Sequence, residues 1–322
     1  MSLDEQTRAF IKRTNATPAP PPGGIPLARF RAAVEAFRPL GFEREELAEV
    51  REVTCPDAEG RAITMRLYRP PSDGPSPAVI WAHGGSWVRV TIDLLDSYFR
   101  YLARRSGCAI LAVDYDLAPE SQFPVAIEQL YAVALWMRKH GEQLGCDTDR
   151  LAIAGESSGG NLAAAVAQLA RERAQTLFHH QLLVVPVLDA LFESPSWQAL
   201  GRDYLLTREQ LEWALRQYAP STDRRAPLLS PLHARDLAGL PPATIIVGEF
   251  DPLRDEGLQY AQRLAVAGVE VQVIDIDGLI HHAIMAPKAL PRGRQAVTAA
   301  ADALASALDT APPLPPDKEK TR

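Results

Sequence analysis

The sequence predicts an α/β fold in which a mostly parallel central sheet carries helices on both faces. Short apolar runs rich in β-branched residues alternate along the chain with longer segments of helical character. Strands covered on both faces have such continuous apolar runs, and strand–helix alternation at this spacing is typical of parallel sheets. The length of 322 residues suits one large α/β domain with insertions, or two domains of ordinary size.

The individual elements follow from the apolar periodicity. The predicted strands are, in chain order, Ile63–Tyr68, Ala78–Ala82, Ala109–Asp114, Leu151–Ala154, Leu182–Val187, Thr244–Val247 and Val269–Ile276. The predicted helices between and after them are Leu94–Arg105, Val125–His140, Asn161–Arg173, Glu256–Ala267 and Arg292–Leu308. A hairpin-like pair near residues 47–82 is the part of the sheet that we expect to be antiparallel.

Two stretches interrupt the alternation around a main α/β domain predicted over residues 46–311. The N-terminal residues 1–45 contain two amphipathic pieces, and residues 190–220 hold several aromatic side chains among helix formers. We expect the two stretches to pack together as a helical cap, although these aromatics are equally typical of peripheral helices in contact with the core. The Pro- and Gly-rich residues 16–26 predict an extended connector, and residues 312–322 predict a flexible tail.

Composition excludes several classes of protein. A net charge of −6 and a pI of about 5.7 argue against nucleic acid or an anionic membrane surface as the main partner. The N-terminal MSLDEQTRAF lacks the apolar run of a secretory signal, and no run is apolar and long enough to span a membrane. Cys55, Cys108 and Cys146 show no metal-ligand or disulfide spacing, so we expect no metal, no cofactor and a cytoplasmic location.

The run GESSG at residues 155–159 follows a predicted strand and precedes a predicted helix, which is the context that G-x-S-x-G requires. A tight strand-to-helix turn lifts its middle residue above the sheet, and small residues two positions away avoid a collision with that residue. The hydroxyl of Ser157 would then be a nucleophile, and the backbone N–H of Ser158 would face a developing oxyanion. The alternative is an ordinary N-capping serine.

A serine nucleophile needs a base, and the base needs an acid that orients it. The run DGLIHHA places His281 and His282 directly after the last predicted strand, where this arrangement puts its base. Asp251 follows the strand Thr244–Val247 and is the candidate acid, with Glu249 and Asp255 as neighbours that compete for the role.

The run HGGSW at residues 83–87 follows an early strand and fits an HGGG-type oxyanion loop in three of four positions. The backbone N–H groups of Gly84 and Gly85 are the expected donors. His83 comes too early in the chain to be the base, so we expect it to order this loop.

Taken in order, these motifs resemble those of the hormone-sensitive-lipase-type carboxylesterases, the bacterial family IV enzymes of the α/β-hydrolase fold. The resemblance covers about residues 60–290 and rests on HGGSW, VDYDLAPESQFP, GESSGGNLAA, VVPVLD, GEFDPLRDEG and DGLIHHA. It implies cofactor-free hydrolysis of short- to medium-chain acyl esters under a cap, with Ser157 as nucleophile, Asp251 as acid and His281 as base. Gly84, Gly85 and Ser158 would be the oxyanion donors, and a homodimer is possible.

The sequence departs from that family at three places. Ser86 replaces the third glycine of HGGG, and Val90, preceded by Arg89, stands where a glycine normally follows the loop. His282 and Ala283 replace the glycine and the aromatic residue that usually follow the base, which leaves a second imidazole beside His281.

Two other functions remain open from the sequence alone. HGGSW and VDYDL also resemble the corresponding runs of arylformamidases, which favours an amide or formamide hydrolase as an alternative. A non-catalytic small-molecule receptor on the same fold is the other alternative.

Overall fold

The structure is a computed structural model, and it describes residues 3–16 and 26–310. In these residues one eight-stranded sheet has the order β1-β2-β4-β3-β5-β6-β7-β8. The strands are β1 (Glu49–Pro56), β2 (Ala62–Arg69), β3 (Ser76–Ala82), β4 (Ala109–Asp114), β5 (Cys146–Glu156), β6 (His180–Val184), β7 (Ala243–Phe250) and β8 (Val271–Ile280). β1 and β4 pair with β2 in antiparallel fashion, and the remaining pairs are parallel.

The helices of the described residues are α1 (Glu5–Ala16), α2 (Leu27–Ala32), α3 (Asp96–Ser106), α4 (Val125–His140), α5 (Ser158–Glu172), α6 (Pro195–Leu200), α7 (Arg208–Tyr218), α8 (Arg254–Val266) and α9 (Pro291–Ala307). A 3-10 segment, Ala33–Leu40, continues α2, and shorter ones lie at Gly141–Leu144, Pro231–His233 and His281–Met285. None of these helices combines the length and the apolar character that a membrane span needs.

Two apolar cores lie on the two faces of the sheet. Side chains of successive strand residues alternate between them, as the pleat requires: Ile80 belongs to the core that includes α4, α5 and α8, whereas Val79 and Trp81 belong to the core that includes α3 and α9. The predicted α/β fold, with helices on both faces of a mostly parallel sheet, is confirmed.

The predicted elements are found with shifted ends. β6 stops at Val184 instead of Val187, because Val185 has a positive φ of 41° and Pro186 has no N–H to donate to a neighbouring strand. β8 continues to Ile280 and so reaches the residue before His281. The antiparallel pair near residues 47–82 is confirmed as β1 and β2.

The two regions outside the alternation are helical in their described parts. The first supplies α1, α2 and the following 3-10 segment, and residues 190–220 contain α6 and α7. Most of the predicted connector and the whole predicted tail lie outside the described residues.

Candidate active site

Ser157 occupies the turn between β5 and α5, with φ 58° and ψ −121°. Residues other than glycine rarely adopt a positive φ. The resulting backbone strain persists where the surrounding packing enforces it. A Cβ atom on Gly155 would collide with the backbone of Gly159, and a Cβ on Gly159 would collide with the carbonyl of Ala82. The glycines are therefore needed for this turn, as the spacing of GESSG predicted.

Three side chains form a continuous hydrogen-bonded chain at the carboxyl ends of the parallel strands. His281 Nε2 lies 2.9 Å from Ser157 Oγ, and His281 Nδ1 lies 2.8 Å from Asp251 Oδ2. Because a carboxylate can only accept, Nδ1 carries the proton and Nε2 is left to accept the hydrogen bond of the serine hydroxyl. All three residues are buried. The arrangement can therefore take a proton from Ser157 while the carboxylate stabilises the charged imidazole.

Strand register explains how residues distant in sequence meet here. β7 and β8 pair with Phe250 opposite Ile280, so the next residue of each strand, Asp251 and His281, emerges side by side. The second carboxylate oxygen of Asp251 accepts the backbone N–H of Leu253 at 2.9 Å, which holds the carboxylate in place.

The second imidazole has a different environment. The ring of His282 stacks against Phe37 with centroids 6.0 Å apart, and its Nδ1 is buried with no hydrogen-bond partner. Burial, together with the neighbouring His281 and Arg89, lowers the pKa of His282 well below its usual range. His281, and not His282, thus forms the hydrogen bond with Ser157, and His282 is a neutral ring beside it.

His83 is the first residue of the loop of residues 83–90, which follows β3. Its Nδ1 donates to the carbonyl of Gly84 at 2.8 Å, and its ring stacks on Tyr115 with centroids 4.4 Å apart. The hydroxyl of Tyr115 in turn donates to the His83 carbonyl at 2.7 Å. Burial lowers the pKa of His83 to about 4, so the ring is neutral. These contacts support the prediction that His83 orders the loop.

The backbone N–H of Gly84, which we expected to be an oxyanion donor, does not have this role in the structure. Its N–H donates to Glu156 Oε1 at 2.6 Å and so is not available to a substrate oxygen. The reason is the register of β3 and β5, which places Ala82 opposite Gly155 and brings the start of the loop over Glu156. Gly85 follows at φ 113°, a conformation that favours glycine.

The hydroxyl of Ser158 also has a structural role that the sequence did not predict. It accepts the backbone N–H of Trp87 at 3.2 Å and thereby ties the first turn of α5 to the loop of residues 83–90. The backbone N–H of Ser158 lies at the N-terminus of α5, where helix N–H groups lack intrahelical partners.

Glu156 is a buried carboxyl group beside the nucleophile. Besides the Gly84 N–H it accepts the indole N–H of Trp81, with Nε1 2.5 Å from Oε2. Burial raises the pKa of Glu156 from 4.5 to about 7, although both hydrogen bonds act in the opposite direction. The carboxylate fixes the loop through two donors from different segments. The sequence shows an acidic residue at the end of an otherwise apolar strand, but it does not show the two donors that give this residue its role.

Replacement of Glu156 by glutamine should lower kcat for an ester by about tenfold, because the amide –NH2 would face one of the two donors and the loop would shift. The raised pKa makes the folded wild type bind a proton more tightly than the unfolded chain between pH 4.5 and 7. The contribution of Glu156 to stability therefore falls as pH rises through that window.

Denaturant unfolding of wild type and Glu156→Gln at several pH values checks the second effect. The wild-type free energy of unfolding should fall relative to the variant by up to about 3 kcal/mol between pH 4.5 and 7. Glu172→Gln, at an exposed position of α5, changes the net charge equally and is the control. Parallel pH curves for wild type and Glu156→Gln would contradict this account.

The N-terminal region and residues 190–220 contact each other above the site. Phe30 of α2 packs against Trp213 of α7 with centroids 4.7 Å apart. Tyr218 of α7 stacks in parallel on Trp87, with centroids 5.0 Å apart. These contacts agree with the expectation that the two regions pack together.

Arg31 connects the N-terminal region to the same loop. Its Nε donates to the carbonyl of Val88 at 2.8 Å, and Nη2 donates to the carbonyl of Ala118 at 2.9 Å. A bidentate ion pair with Glu120 holds the guanidinium in this orientation. Nothing in the sequence singled out Arg31, because its partners lie more than fifty residues away.

These elements surround a cleft with an empty volume of about 550 Å³, open solvent at its mouth included. Ser157 and His281 lie in its wall together with Val34, Phe37 and Leu206 from the two helical regions. Apolar walls around a few polar groups are typical of small-molecule sites.

The profile of a family described as having the alpha/beta hydrolase fold matches residues 79–285, about two thirds of the chain. The chain belongs to the α/β-hydrolase family. The matched span of this α/β hydrolase includes the nucleophile turn, Asp251 and His281.

Relatives of this α/β hydrolase carry esterase names. An ethyl acetate hydrolase of Pseudomonas putida is 38% identical over 72% of this chain and 74% of its own length. The carboxylesterase NlhH of Mycobacterium tuberculosis is 35% identical over 83% of this chain and 85% of its own. The resemblance to hormone-sensitive-lipase-type carboxylesterases is confirmed.

Solved structures give the same result. A thermostable esterase from Pseudomonas putida superposes with a TM-score of 0.90 at 34% identity, over 95% of this chain and 98% of that one. A hyperthermophilic esterase from the archaeon Pyrobaculum calidifontis gives a TM-score of 0.89 at 35% identity, over 95% and 99%.

Proposed function

We propose that this α/β hydrolase is a serine carboxylesterase that cleaves short- to medium-chain acyl esters through an acyl-enzyme intermediate. The observation that carries the proposal is the buried chain of hydrogen bonds from Ser157 through His281 to Asp251, at 2.9 and 2.8 Å. An activated serine needs this order of groups.

In the first half-reaction Ser157 Oγ attacks the ester carbonyl carbon while its proton passes to His281 Nε2. Asp251 keeps the imidazole in the required tautomer and stabilises the imidazolium. The tetrahedral intermediate then collapses, the alcohol leaves with the proton from His281, and the acyl group stays on Ser157.

In the second half-reaction a water molecule gives its proton to His281 and attacks the acyl carbon. Collapse of this intermediate releases the carboxylic acid and returns the proton to Ser157 Oγ. Each proton taken up by His281 is returned within the same half-reaction, so the cycle needs no cofactor.

The oxyanion donors that we propose are the backbone N–H groups of Gly85, Ser86 and Ser158. Gly84 is replaced in this set because its N–H is bound to Glu156. Gly85 and Ser86 come next in the same loop, and the loop is closed by hydrogen bonds from Val88 and Arg89 to the Gly85 carbonyl. One such donor typically lowers the barrier by about 2.7–4 kcal/mol.

The limit on acyl length follows from the two helical regions, which we propose form a cap over the catalytic domain. Phe37 and Leu206 of these regions line the cleft together with Met285 and Ser157, so their side chains would limit the length of a bound acyl chain. A small ester is the substrate class that fits this space.

We also propose a cellular location and an oligomeric state. We place the protein in the cytoplasm, because its three cysteines are unpaired and buried and burial raises the pKa of the Cys55 thiol to about 11. We also propose that the edge strand β8, with Val273 exposed, pairs with β8 of a second copy in a homodimer.

A series of 4-nitrophenyl esters from acetate to dodecanoate, assayed beside N-formylkynurenine at equal enzyme concentration, tests the function. We expect kcat/KM to be highest between acetate and hexanoate, to fall for longer chains, and to be at least about tenfold lower for the formamide, because the anilide nitrogen is a poorer leaving group than 4-nitrophenolate. Faster cleavage of N-formylkynurenine would favour the arylformamidase alternative. Absence of ester turnover and of labelling by a fluorophosphonate would favour a receptor.

A further inference from the structure

Arg89 is a cation in the wall of the catalytic cleft without an anionic partner. Its side chain is half-buried and lines the same cleft as Ser157 and His281. Its Nε is buried and makes no hydrogen bond, and no carboxylate of the described residues lies within 4.0 Å of the guanidinium. The contact that it does make is with the ring of Phe30, 4.6 Å from the guanidinium carbon.

Other arginines of similar burial are paired in this fold. Arg66 binds Asp93 at 2.7 Å, and Arg100 binds Asp96 at 2.7 Å. An unpaired charge that is partly removed from water is costly, and a cation–π contact with Phe30 leaves the buried Nε–H without an acceptor. Folding alone therefore does not explain a cation at position 89, where an uncharged side chain could pack on Phe30 equally well.

The position of Arg89 is fixed by the oxyanion loop. Its N–H donates to the carbonyl of Gly85 at 3.1 Å, and its own carbonyl packs so closely on Gly85 that a Cβ there would collide with it. The side chain thus starts from a backbone position that is held by the oxyanion loop. Burial lowers the pKa of Arg89 to about 10, so it is a cation at neutral pH.

His282 lies beside Arg89 in the same wall. Its Nδ1 has no partner, and its imidazole is close enough to Arg89 for the guanidinium charge to lower its pKa further. The guanidinium, whose Nε has no partner, is suited to an anionic group of a ligand, and the neutral imidazole beside it can add one hydrogen bond through its single N–H. Planar carboxylates match the fork of arginine donors best.

We propose that Arg89, with His282 beside it, binds a carboxylate of the substrate, so that the preferred substrates are esters that also carry an acidic group. Half-esters of short dicarboxylic acids carry it on the acyl side, and esters of hydroxybenzoic acids carry it on the alcohol side. The proposal rests on the proposed esterase function and narrows its substrate class.

The test compares matched charged and neutral esters. Mono-4-nitrophenyl glutarate is paired with methyl 4-nitrophenyl glutarate, and 4-acetoxybenzoate with methyl 4-acetoxybenzoate, each rate being divided by that of hydroxide hydrolysis. Wild type should prefer the acid in at least one pair, and that pair identifies the side on which Arg89 acts.

Arg89→Met should lower kcat/KM for the preferred acid by about tenfold to a hundredfold, mainly through KM, and leave its methyl ester within about threefold. Arg89→Lys should keep part of the preference. Arg104→Met removes the same charge from an exposed position of α3 and should leave the preference unchanged.

Three results would overturn the proposal: a wild type that prefers the methyl ester in both pairs, an Arg89→Met variant with an unchanged preference, or an equal loss on both members of a pair. The wild-type comparison decides even if Arg89→Met does not fold. A wild type that hydrolyses none of the four esters would instead overturn the esterase function itself.

Discussion

Replacing Ser157 by alanine will lower kcat for 4-nitrophenyl butyrate by about 10⁴- to 10⁶-fold, the range typical of removing the nucleophile of such a triad. The reason is chemical, because no other hydroxyl of residues 3–16 and 26–310 is hydrogen-bonded to His281 Nε2. The fold should tolerate the change, since the backbone N–H and carbonyl of Ser157 keep their bonds to Val184, Asn161 and Val187. Stopped assays at high enzyme concentration, with denaturant unfolding alongside, measure both quantities.

Ser158→Ala is the matched comparison for this prediction. It removes a neighbouring hydroxyl whose hydrogen bond is to the Trp87 N–H, while it keeps the backbone N–H of residue 158. We expect a loss of no more than about tenfold, through a less firmly held loop. A Ser157→Ala enzyme with more than about one per cent of wild-type activity would contradict the assignment, as would fluorophosphonate labelling of Ser158.

Replacing His281 by alanine will cost about 10⁴-fold or more in kcat, whereas His282→Ala will cost less than about tenfold on a neutral ester. His281 bridges Ser157 and Asp251, whereas His282 stacks on Phe37 and its lowered pKa makes it a poor base. The two variants, assayed from pH 5 to pH 9 on 4-nitrophenyl butyrate, separate the roles. A larger loss for His282→Ala would show that the base had been assigned to the wrong imidazole.

The combined variant Ser157→Ala/His281→Ala adds a further check. Groups that act as one unit are not additive, so the double replacement should cost about as much as either single one. A loss close to the product of the single losses would mean that the two residues act in separate steps.

The parts of this protein that could be predicted from sequence are those that depend on local pattern. GESSG demands its glycines because of contacts within one turn, and β strands buried on both faces show as apolar runs. Asp251 and His281 were predicted because each follows a strand, and parallel strands end at the same edge of the sheet.

What could not be predicted depends on register between distant strands. The N–H of Gly84 was expected to face the substrate, and only the pairing of Ala82 with Gly155 shows that Glu156 lies beneath it. The same pairing explains the acidic residue beside the nucleophile, for which the sequence alone offered no role.

Contacts between helices are a second feature that the sequence could not predict. Aromatic side chains at Phe30, Trp213 and Tyr218 were visible in the sequence, but their partners were not, because side-chain stacking between helices leaves no periodic signal. The contact of Tyr218 with Trp87 therefore became evident only in the folded chain.

The hydrogen bonds from Arg31 to the Val88 and Ala118 carbonyls have a consequence for attempts to exchange the N-terminal region between related esterases. A transplanted segment would change the residues that line the cleft from the N-terminal side. It would also remove the hydrogen bonds of Arg31 that support the loop of Gly85 and Ser86. An exchange of the N-terminal region would therefore change both substrate range and turnover, because Arg31 belongs to that region and also supports the loop. A chimera that keeps Arg31 and its partner Glu120 would retain these hydrogen bonds while the other residues of the N-terminal region are varied.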